Sequence, residues 1–420
     1  MKDRLQIIWN KRLVGTLERH KKGRVIFQYS QDWLAKESSP VSLSLPCRKE
    51  KFAPAVSTAF FENLIPESNT RTVLAFNRRF DKKDTFAFLE NFGEDCAGAL
   101  SIIPEDQEPD FTPGQYENIT RELIEILDKI LHDPDRYKLY PAIKNAKLSL
   151  AGAQDKLPVY IKKDQFYLPK NSGSATTHII KPINAGFTDI PRNEAFCMEL
   201  AQRAGFPTPD SKIMKINGHE LFVVDRYDRQ EKNKEIIRIH QEDFCQAMGY
   251  PAERKYQETG GPGFIECREL IDEYLSNHGV TNRLLFIRMM IFNYIIGNHD
   301  AHGKNFSIIH NKDFKLAPFY DLVSTQVYSL DNKFAMAIGQ TFRLDRIKEH
   351  SFEKFSRDMN IRLKLLISLT NEVCETVKSE LDGLIAEHDK NYGKAKIYKD
   401  LNKIIQSNII QLQNLLTSCD

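Results

Sequence analysis

A short polar segment, residues 297–305, carries the side chains best suited to chemistry. It has the sequence Gly-Asn-His-Asp-Ala-His-Gly-Lys-Asn and follows an apolar stretch that ends near Ile296. Asp300 and Asn305 stand five positions apart. That is the spacing of a phosphotransfer catalytic loop, in which the Asp accepts the proton of the substrate hydroxyl and the Asn ligates Mg²⁺. The segment therefore predicts Asp300 as a general base and Asn305 as a metal ligand.

A second carboxylate, Asp321, follows at the end of residues 316–321, Leu-Ala-Pro-Phe-Tyr-Asp. Mg²⁺ takes oxygen ligands and is commonly bound by one or two carboxylates together with substrate phosphates. Asp321 is thus predicted to share the metal with Asn305. A purely structural role remains an alternative, because Asp and Asn also cap a helix or turn the chain after it without any catalytic role.

Three histidines in this region, His299, His302 and His310, raise the question of zinc. No Cys and no His-Glu-x-x-His spacing accompanies them, which disfavours a zinc site. Contact of His302 or Lys304 with phosphate is the preferred interpretation.

Upstream, residues 149–156 form a run of small and polar residues, Ser-Leu-Ala-Gly-Ala-Gln-Asp-Lys. Backbone amides in such a run can approach a phosphate closely. Gly152 is its only glycine, so it is neither a Walker A motif nor the Gly-rich loop of ordinary kinases, and a simple turn remains an alternative. Lys181 ends an apolar run and is expected either to reach the α- and β-phosphates or to be a solvated lysine at a strand end.

Two further segments contain residues that could belong to a nucleotide site. Glu194, at the start of a helical stretch predicted for residues 193–204, is a candidate to orient Lys181, as the glutamate of a kinase Lys–Glu pair does. Residues 225–227, Asp-Arg-Tyr, end a later apolar strand. A small-residue loop, a strand lysine, a helix glutamate, the catalytic Asp and Asn, and a second Asp thus occur in the order found in kinases.

The elements that must position these residues differ between the two halves of the chain. Alternating apolar residues predict strands over residues 5–9, 13–17, 24–29, 157–161, 178–180 and 221–224. Helices are predicted around Phe60, over residues 119–131, and repeatedly after His240, notably 361–377 and 401–416. Residues 105–114 are acidic and poor in apolar residues, as expected of a connection between units.

Composition sets outer bounds on function. The 59 Lys and Arg nearly balance the 57 Asp and Glu, giving a net charge of +2, so no overall field marks a nucleic-acid binder. The seven cysteines are scattered and indicate neither a disulfide framework nor a zinc knuckle. The most apolar stretch, residues 289–296, is too short to span a bilayer, and a cytoplasmic location is expected.

These residues together resemble the HipA family of bacterial toxin–antitoxin kinases. The likeness is carried by residues 14–17 and 61–66, by 149–156, by 177–181, by 240–247, and by 297–307 with 317–324. It implies an α+β, two-lobed protein-kinase-like fold with a β-rich amino-terminal lobe, an extra small β subdomain and a mainly helical carboxy-terminal lobe. The expected division is 1–105 for the subdomain, 106–227 for the rest of the amino-terminal lobe with the phosphate loop and hinge, and 228–420 for the helical lobe.

The resemblance also implies site residues and cofactors. ATP and Mg²⁺ would be bound, with Asp300 as catalytic base and with Asn305 and Asp321 as metal ligands. The residues that would contact the nucleotide are Ala151, Gly152, Ala153, Gln154, Asp155, Lys156, Lys181, Asp225, Arg226, Tyr227, His302, Gly303, Lys304, Asn305, Tyr320 and Asp321. Ser149 matches the serine that the family phosphorylates on itself, and its modification would silence the kinase.

The expected partners follow from the same resemblance. They are a HipB-like helix-turn-helix antitoxin, DNA mainly through that antitoxin, and a protein substrate such as glutamate–tRNA ligase, whose phosphorylation would arrest translation. No membrane partner is expected. Two alternatives stay open. One is a phosphotransferase acting on a small molecule, because sugar and antibiotic kinases share the Asp, Asn, Asp set. The other is a catalytically silent scaffold that binds a regulatory partner, against which the intact Lys181, Asp300, Asn305 and Asp321 argue.

Overall fold

The computed structural model describes the chain except for residues 1–2, 37–38, 134–135, 144–149, 153, 184–185, 188, 234, 312, 329, 331 and 418–420. The chain forms two compact units. The first unit comprises residues 1–186, 214–253 and 308–312, and the second comprises 187–213, 254–307 and 313–420.

Strands are concentrated before residue 244. They are β1 Arg4–Trp9, β2 Arg12–Arg19, β3 Val25–Tyr29, β4 Leu100–Pro104, β5 Tyr116–Asn118, β6 Leu157–Lys162, β7 Gln165–Pro169, β8 His178–Lys181, β9 Ser211–Ile216, β10 His219–Asp225, β11 Arg229–Lys232, β12 Glu235–Arg238, β13 Gln241–Asp243, β14 Ser307–Ile309 and β15 Lys315–Leu316.

Helices occur throughout and dominate the carboxy-terminal part. They are α1 Gln31–Lys36, α2 Pro54–Glu62, α3 Ser68–Arg78, α4 Thr85–Phe92, α5 Thr120–His132, α6 Leu139–Ala142, α7 Ile190–Arg203, α8 Phe244–Met248, α9 Phe264–Tyr274, α10 Gly279–Ile296, α11 Glu349–Asp358, α12 Leu363–Tyr392 and α13 Lys396–Thr417.

The first unit begins with a four-stranded sheet in the order β3-β2-β1-β4. Leu5 and Ile7 alternate with more exposed residues along β1 and are buried, as the two-residue period of a strand requires. Gly15 of β2 lies so close to β3 that a Cβ atom there would be 2.2 Å from the carbonyl oxygen of Gln28. Only glycine permits this approach of the two strands.

A second sheet of the first unit has the order β5-β7-β6-β8-β10-β9, and the unit resumes at Met214 within β9. Ile180 of β8 pairs with Leu157 and Val223, and all three side chains belong to the buried core. Residues directly opposite each other in a sheet share a face, and the next residue points the other way. Lys181 therefore lies on the face opposite to this core.

The second unit is built mainly from helices, and its outer helices bury one stripe of residues each. On α12 the buried residues recur at intervals of three and four, for example Leu366, Leu369, Val373 and Val377, which is the period of an amphipathic helix. Helix α10 packs against α9, α12 and α13, and α7 packs against α12 and α13. The centre of this unit is α10, whose residues from Met289 to Ile296 are all buried.

Most predicted elements are confirmed with small shifts in their bounds. The predicted helix 193–204 begins earlier, at Ile190, and the predicted helix 361–377 continues to Tyr392. In the first hundred residues the pattern predicts only one helical turn, whereas α1, α2, α3 and α4 all lie there beside the expected strands. Short helices with few periods carry a weak sequence signal. Among the described residues no helix is both long and apolar enough to cross a membrane.

Candidate active site

Helix α10 ends immediately before the polar segment 297–305. Gly297 caps the helix with a φ of 68°, in the left-handed region. A Cβ atom at this position would also lie 2.4 Å from Oε1 of Gln326. The backbone N–H groups of Thr325 and Gln326 donate to the Gly297 carbonyl oxygen at 3.1 and 3.0 Å. The cap and these hydrogen bonds therefore fix the direction in which the polar segment continues from the buried end of α10.

Asn298 orients the backbone of the polar segment 297–305. Its side chain is buried and donates from Nδ2 to Oδ1 of Asn293 at 2.7 Å. Its own Oδ1 accepts the N–H of Asp300 at 3.1 Å, and the N–H of His299 donates to Thr325 Oγ1 at 2.9 Å. Sequence reasoning missed Asn298 and Thr325 as supporting residues. Asn298 could have been suspected because it is an amide within the catalytic segment, whereas Thr325 has no such signal.

The two predicted metal ligands lie next to each other. Nδ2 of Asn305 donates to Oδ2 of Asp321 at 3.0 Å, across sixteen residues of chain. Asp321 has a φ of 59°, in the left-handed region that Asp adopts more readily than most other non-glycine residues. The hydroxyl of Tyr320 donates to the Lys304 carbonyl oxygen at 2.7 Å, which ties the two segments together beside this pair.

One atom at this position tests the fit to a metal. Oδ1 of Asn305 is buried and has no hydrogen-bond partner in the part of the chain that the structure describes. An unpaired buried acceptor is costly unless a ligand satisfies it. An amide oxygen beside the Asp321 carboxylate suits Mg²⁺, which takes oxygen ligands. The two residues fit the predicted metal.

The rest of the segment is equally enclosed. His302 and Lys304 are each 6% exposed, and the N–H of Gly303 donates to the Lys255 carbonyl oxygen at 3.2 Å. Burial of two polar side chains on either side of a glycine is unusual for a surface turn. It favours a site over the interpretation of residues 300–305 as a simple turn.

Tyr256 is a site residue that sequence reasoning missed entirely. Its hydroxyl donates to Oδ1 of Asp300 at 2.5 Å, and its ring meets the His302 ring edge-on, with the centroids 5.0 Å apart. A short hydrogen bond to a carboxylate restricts the directions in which that carboxylate can turn. Tyr256 precedes Asp300 by 44 residues, and no motif links the two positions in the sequence.

In the first unit, Ser149 and Ala153 of the predicted phosphate loop lie outside the described residues. Gly152 has a φ of 108°, and Nζ of Lys156 is 2.6 Å from the position that a Cβ atom on Gly152 would take. Nε2 of Gln154 is buried without a partner among the described residues. A lysine folded over a glycine, with an unsatisfied amide donor nearby, suits an anionic ligand.

The remaining loop residues differ in their surroundings. Asp155 is buried, and its carboxylate accepts the backbone N–H groups of Leu139 and Tyr140 at the start of α6. Burial raises the pKa of Asp155, although those two hydrogen bonds and Lys138 act to lower it. The Asp155 side chain thus anchors the loop to α6, while half-buried Ala151 lies beside Gly152.

Lys181 ends β8 and is 5% exposed. Its Nζ lies 5.7 Å from the centroid of the Phe222 ring on the neighbouring strand, on the sheet face turned away from the hydrophobic core. A solvated lysine at a strand end, the alternative expectation, would be exposed. Glu194, the candidate partner, lies in the second turn of α7 in the second unit and is buried.

The predicted hinge, residues 225–227, contains three side chains with different surroundings. Asp225 is about half exposed and lies 3.2 Å from Nε2 of His178. Tyr227 bonds through its hydroxyl to Oε1 of Gln241. Arg226 is buried, and its guanidinium donates to Asp228, to Thr176 Oγ1 and to the Cys96 carbonyl oxygen. The Arg226 side chain therefore binds within the first unit.

Arg226 belongs to what we call the Asp95 cluster, which consists of Asp95, Arg226, Asp228, Arg229 and Arg238. Asp95 accepts Arg229 at 2.6 Å, and Arg229 and Arg226 lie 3.0 and 2.8 Å from Asp228. Burial alone would raise the pKa of Asp95, but the positive charges of Arg229, Arg238 and Arg226 outweigh it and hold that pKa well below its usual range. Burial and repulsion by Arg226 lower the pKa of Arg229 to about 10.

Strands ahead of a helical part, with an Asp-x-x-x-x-Asn segment at a helix end and a second Asp beside the Asn, define a kinase-like phosphotransferase. Comparison with family models identifies the family. Residues 148–381 match the HipA-like C-terminal domain, and residues 5–103 match the HipA N-terminal domain. The chain belongs to the HipA family, and it is a kinase.

Individual relatives agree with this assignment. A putative kinase of Sinorhizobium fredii, Y4mE, is 39% identical over 385 residues, covering 89% of this chain and 90% of the relative. The serine/threonine-protein kinase toxin HipA of Shewanella oneidensis is 27% identical over 380 residues, covering 85% of this chain and 83% of that protein.

A solved structure shows the same fold. The structure of the Shewanella oneidensis toxin–antitoxin complex of HipA, HipB and operator DNA contains a chain that matches with a TM-score of 0.81 at 24% identity, covering 98% of this chain and 96% of that one. The likeness confirms the predicted α+β, kinase-like fold class with its β-rich amino-terminal and helical carboxy-terminal parts.

Proposed function

We propose that this protein is an ATP- and Mg²⁺-dependent serine/threonine protein kinase with Asp300 as its catalytic base. One observation carries the proposal: Asn305 is bonded to Asp321 through Nδ2, while its buried Oδ1 has no partner among the described residues. Most buried amide oxygens in folded proteins are hydrogen-bonded, and an unsatisfied one beside a carboxylate suits a cation. Asn305 and Asp321 would hold the metal.

The chemistry assigned to Asp300 is general base catalysis. Its carboxylate accepts the proton of a serine or threonine hydroxyl as the oxygen of that hydroxyl attacks the γ-phosphorus, and the bond from phosphorus to the β-phosphate oxygen breaks. Tyr256 holds the carboxylate in place through its hydroxyl. When bound, Mg²⁺ offsets the negative charge that develops on the phosphate oxygens.

The nucleotide contacts that we propose are those that the family resemblance implies. They are Ala151, Gly152, Ala153, Gln154, Asp155, Lys156, Lys181, Asp225, Arg226, Tyr227, His302, Gly303, Lys304, Asn305, Tyr320 and Asp321. The buried Lys181 and the Lys156 ammonium over Gly152 support phosphate binding. For Arg226 and Asp155 the backbone is the proposed contact, because their side chains bind inside the first unit.

The biological role proposed is that of the toxin in a toxin–antitoxin pair. A relative of Shewanella oneidensis is named as a kinase toxin, and its solved complex contains HipB and operator DNA. By the family resemblance we infer a HipB-like antitoxin as partner, DNA contact mainly through it, and an aminoacyl-tRNA synthetase, such as glutamate–tRNA ligase, as substrate. With such a target, the proposed location is the cytoplasm and the proposed outcome is arrest of translation.

Self-inhibition through Ser149 completes the proposal. A phosphoryl group there would add about −1.5 to −2 charges beside the loop that carries Gly152 and Lys156. Those charges would compete with the nucleotide phosphates for the same donors. Protein incubated with Mg-ATP is expected to gain one phosphate at Ser149 and then to lose nucleotide affinity, as followed by mass spectrometry and calorimetry. A modified protein that binds ATP unchanged would refute the mechanism.

The function is tested by incubating the protein with radiolabelled ATP and a bacterial lysate. A labelled polypeptide other than the protein itself is the expected result, and identification of that band names the substrate. Label found only in small molecules would favour the alternative phosphotransferase. No transfer at all by a chain that binds Mg-ATP would favour the silent scaffold.

A further inference from the structure

A pocket in the second unit opens beside Asp300. It has a volume of about 430 Å³, and its lining includes Tyr256, Thr259, Asp300, Leu330 and Phe334. Its lining combines the candidate base with aromatic and aliphatic side chains. An acceptor hydroxyl that reaches the Asp300 carboxylate from this pocket therefore brings its neighbouring groups against an apolar wall.

Hydrogen bonds join two of the segments that line the pocket, residues 256–259 and residues 333–335. The N–H of Gln257 donates to the Ala335 carbonyl oxygen at 3.2 Å, and the N–H of Ala337 donates to Oε1 of Gln257 at 2.7 Å. Phe334 stacks on Tyr294 of α10, with ring centroids 3.7 Å apart, and meets the His299 ring edge-on. The apolar wall is thus part of the rigid frame that also positions the catalytic segment.

One apolar side chain of this wall reaches solvent. Leu330 is 48% exposed, whereas Phe334 and Ala335 are 4% and 5% exposed. At the rim, Lys333 and Glu258 form an ion pair of 2.6 Å between two partly exposed side chains. The pocket thus has an apolar wall and a rim that carries both a positive and a negative side chain. This combination matches a polypeptide chain, whose peptide groups and charged side chains pair at a rim while one side chain is buried.

We propose that this pocket is the acceptor site, and that it selects a serine or threonine next to an apolar residue whose side chain lies against Leu330 and Phe334. The inference rests on the proposed function, because it assumes that the acceptor is a polypeptide and that Asp300 is the base. A phosphorylated small sugar or other strongly polar acceptor would leave this wall in contact with polar groups, at a cost in affinity.

The test uses the full-length protein, Mg-ATP and a dephosphorylated library of peptides derived from a bacterial proteome. Phosphorylated peptides are identified by mass spectrometry, and the residues around each phosphate are tallied. The wild-type protein is expected to enrich apolar residues next to the acceptor. Leu330→Asn is expected to reduce that enrichment about tenfold, the effect of losing one buried aliphatic contact.

The matched control is Ile410→Asn, which makes the same change on α13, at a side chain that is 56% exposed and outside the pocket lining. It is expected to keep the wild-type enrichment. Both variants are first shown to melt as the wild-type protein does. Because the library is scored as a ratio, a general loss of rate in a variant leaves the readout intact.

The outcomes separate the two hypotheses. If the wild-type protein binds Mg-ATP but labels neither a peptide nor a protein, the proposed function fails and this inference fails with it. If it labels peptides with no apolar preference, or if Leu330→Asn keeps the preference, the inference alone is overturned. Loss of the preference in Ile410→Asn as well would show that the effect is not specific to the pocket and would likewise overturn the inference.

Discussion

The Asp95 cluster and the polar segment 297–305 are both largely buried, but their oxygen atoms have different surroundings. In the cluster every carboxylate oxygen of Asp95 and Asp228 accepts a hydrogen bond or lies in an ion pair, and Nε of Arg229 is the cluster atom that has no partner among the described residues. In the second region Asn305 keeps an oxygen unpaired among the described residues. Polar groups that satisfy one another stabilise the fold, whereas a buried group left without a partner inside the protein is available to a ligand.

The same contrast distinguishes Arg226 from Asn305 and Asp321, all of which are predicted site residues. Arg226 is predicted in the nucleotide hinge, and its side chain lies in the Asp95 cluster, where it joins residues 225–229 to residues 95–98. Asn305 and Asp321 bond to each other and are the proposed metal ligands. Substitutions in the two regions should therefore have opposite profiles, one acting on stability and the other on chemistry.

The largest effect is expected from Asp300→Asn. An amide cannot accept the hydroxyl proton, so phosphate transfer should fall by about 10²- to 10⁴-fold, while melting temperature and Mg-ATP affinity stay close to wild type. Radiolabel transfer, calorimetry and thermal melting measure the three quantities. Asp313→Asn, an exposed carboxylate of the same unit that accepts a hydrogen bond from Asn277, is the matched control. Full activity in Asp300→Asn would refute its role as base.

Asp95→Asn should produce the reverse profile. Removing one partner of a buried ion-pair network costs about 3–5 kcal/mol of unfolding free energy, and for a unit of this size the melting temperature should fall by on the order of 10 °C. Asp128→Asn is the control, since its partner His219 lies in the same unit and the Asp128 side chain is 52% exposed. An unchanged melting temperature in Asp95→Asn would show that the cluster does not stabilise the fold.

The difference in unfolding free energy between the wild-type protein and Asp95→Asn depends on pH in a direction that follows from the pKa of Asp95. The pKa of Asp95 is lowered in the folded protein, because the three arginines outweigh the effect of burial. The contribution of Asp95 is therefore fully present above the pKa of an unfolded Asp, about 3.9, and is lost only as the pH falls below it. The stability gap between wild type and Asp95→Asn should stay constant from about pH 5 to about pH 8.

Asp321→Ala should act on metal binding. Loss of one carboxylate ligand is expected to weaken Mg-ATP binding by tenfold or more, about 1.4 kcal/mol, because Asn305 would also lose the acceptor that orients its amide. Calorimetry with Mg-ATP and with Mg²⁺-free ATP separates the metal-dependent part of the affinity. Asp313→Ala is the control. Equal Mg-ATP affinity in Asp321→Ala and wild type would contradict the assignment.

The smallest effect is expected from Tyr256→Phe. The ring and its contact with His302 are kept, and only the hydrogen bond to Asp300 is lost, so kcat should fall by about tenfold with the KM for ATP unchanged. Tyr256→Ala should lower kcat further, since it also removes the ring. Tyr328→Phe, which removes a hydroxyl bonded to Asn193 in the same unit, should keep the wild-type kcat. A change confined to KM would exclude a positioning role for Tyr256.

The sequence by itself determined most strands and long helices, because their periodicity covers several turns or alternations, as in α12 and in β1. It also determined the family, and with it the expected site residues. The residue types at positions 300, 305 and 321, together with their spacing, are sufficient to predict a base and a metal pair. The division at residues 105 and 227 remains a prediction, as do the roles of Ser149 and of the individual nucleotide contacts.

Tertiary structure alone decided which polar side chains face a site and which face the protein. Tyr256 bonds to Asp300 across 44 residues, and Arg226 bonds to the Cys96 carbonyl oxygen across 130. Partners at such separations are set by how helices and sheets pack, and no local spacing in the chain encodes them. The left-handed backbone at Asp321 likewise has no signal in the surrounding sequence, and it occurs at a residue whose side chain bonds to Asn305.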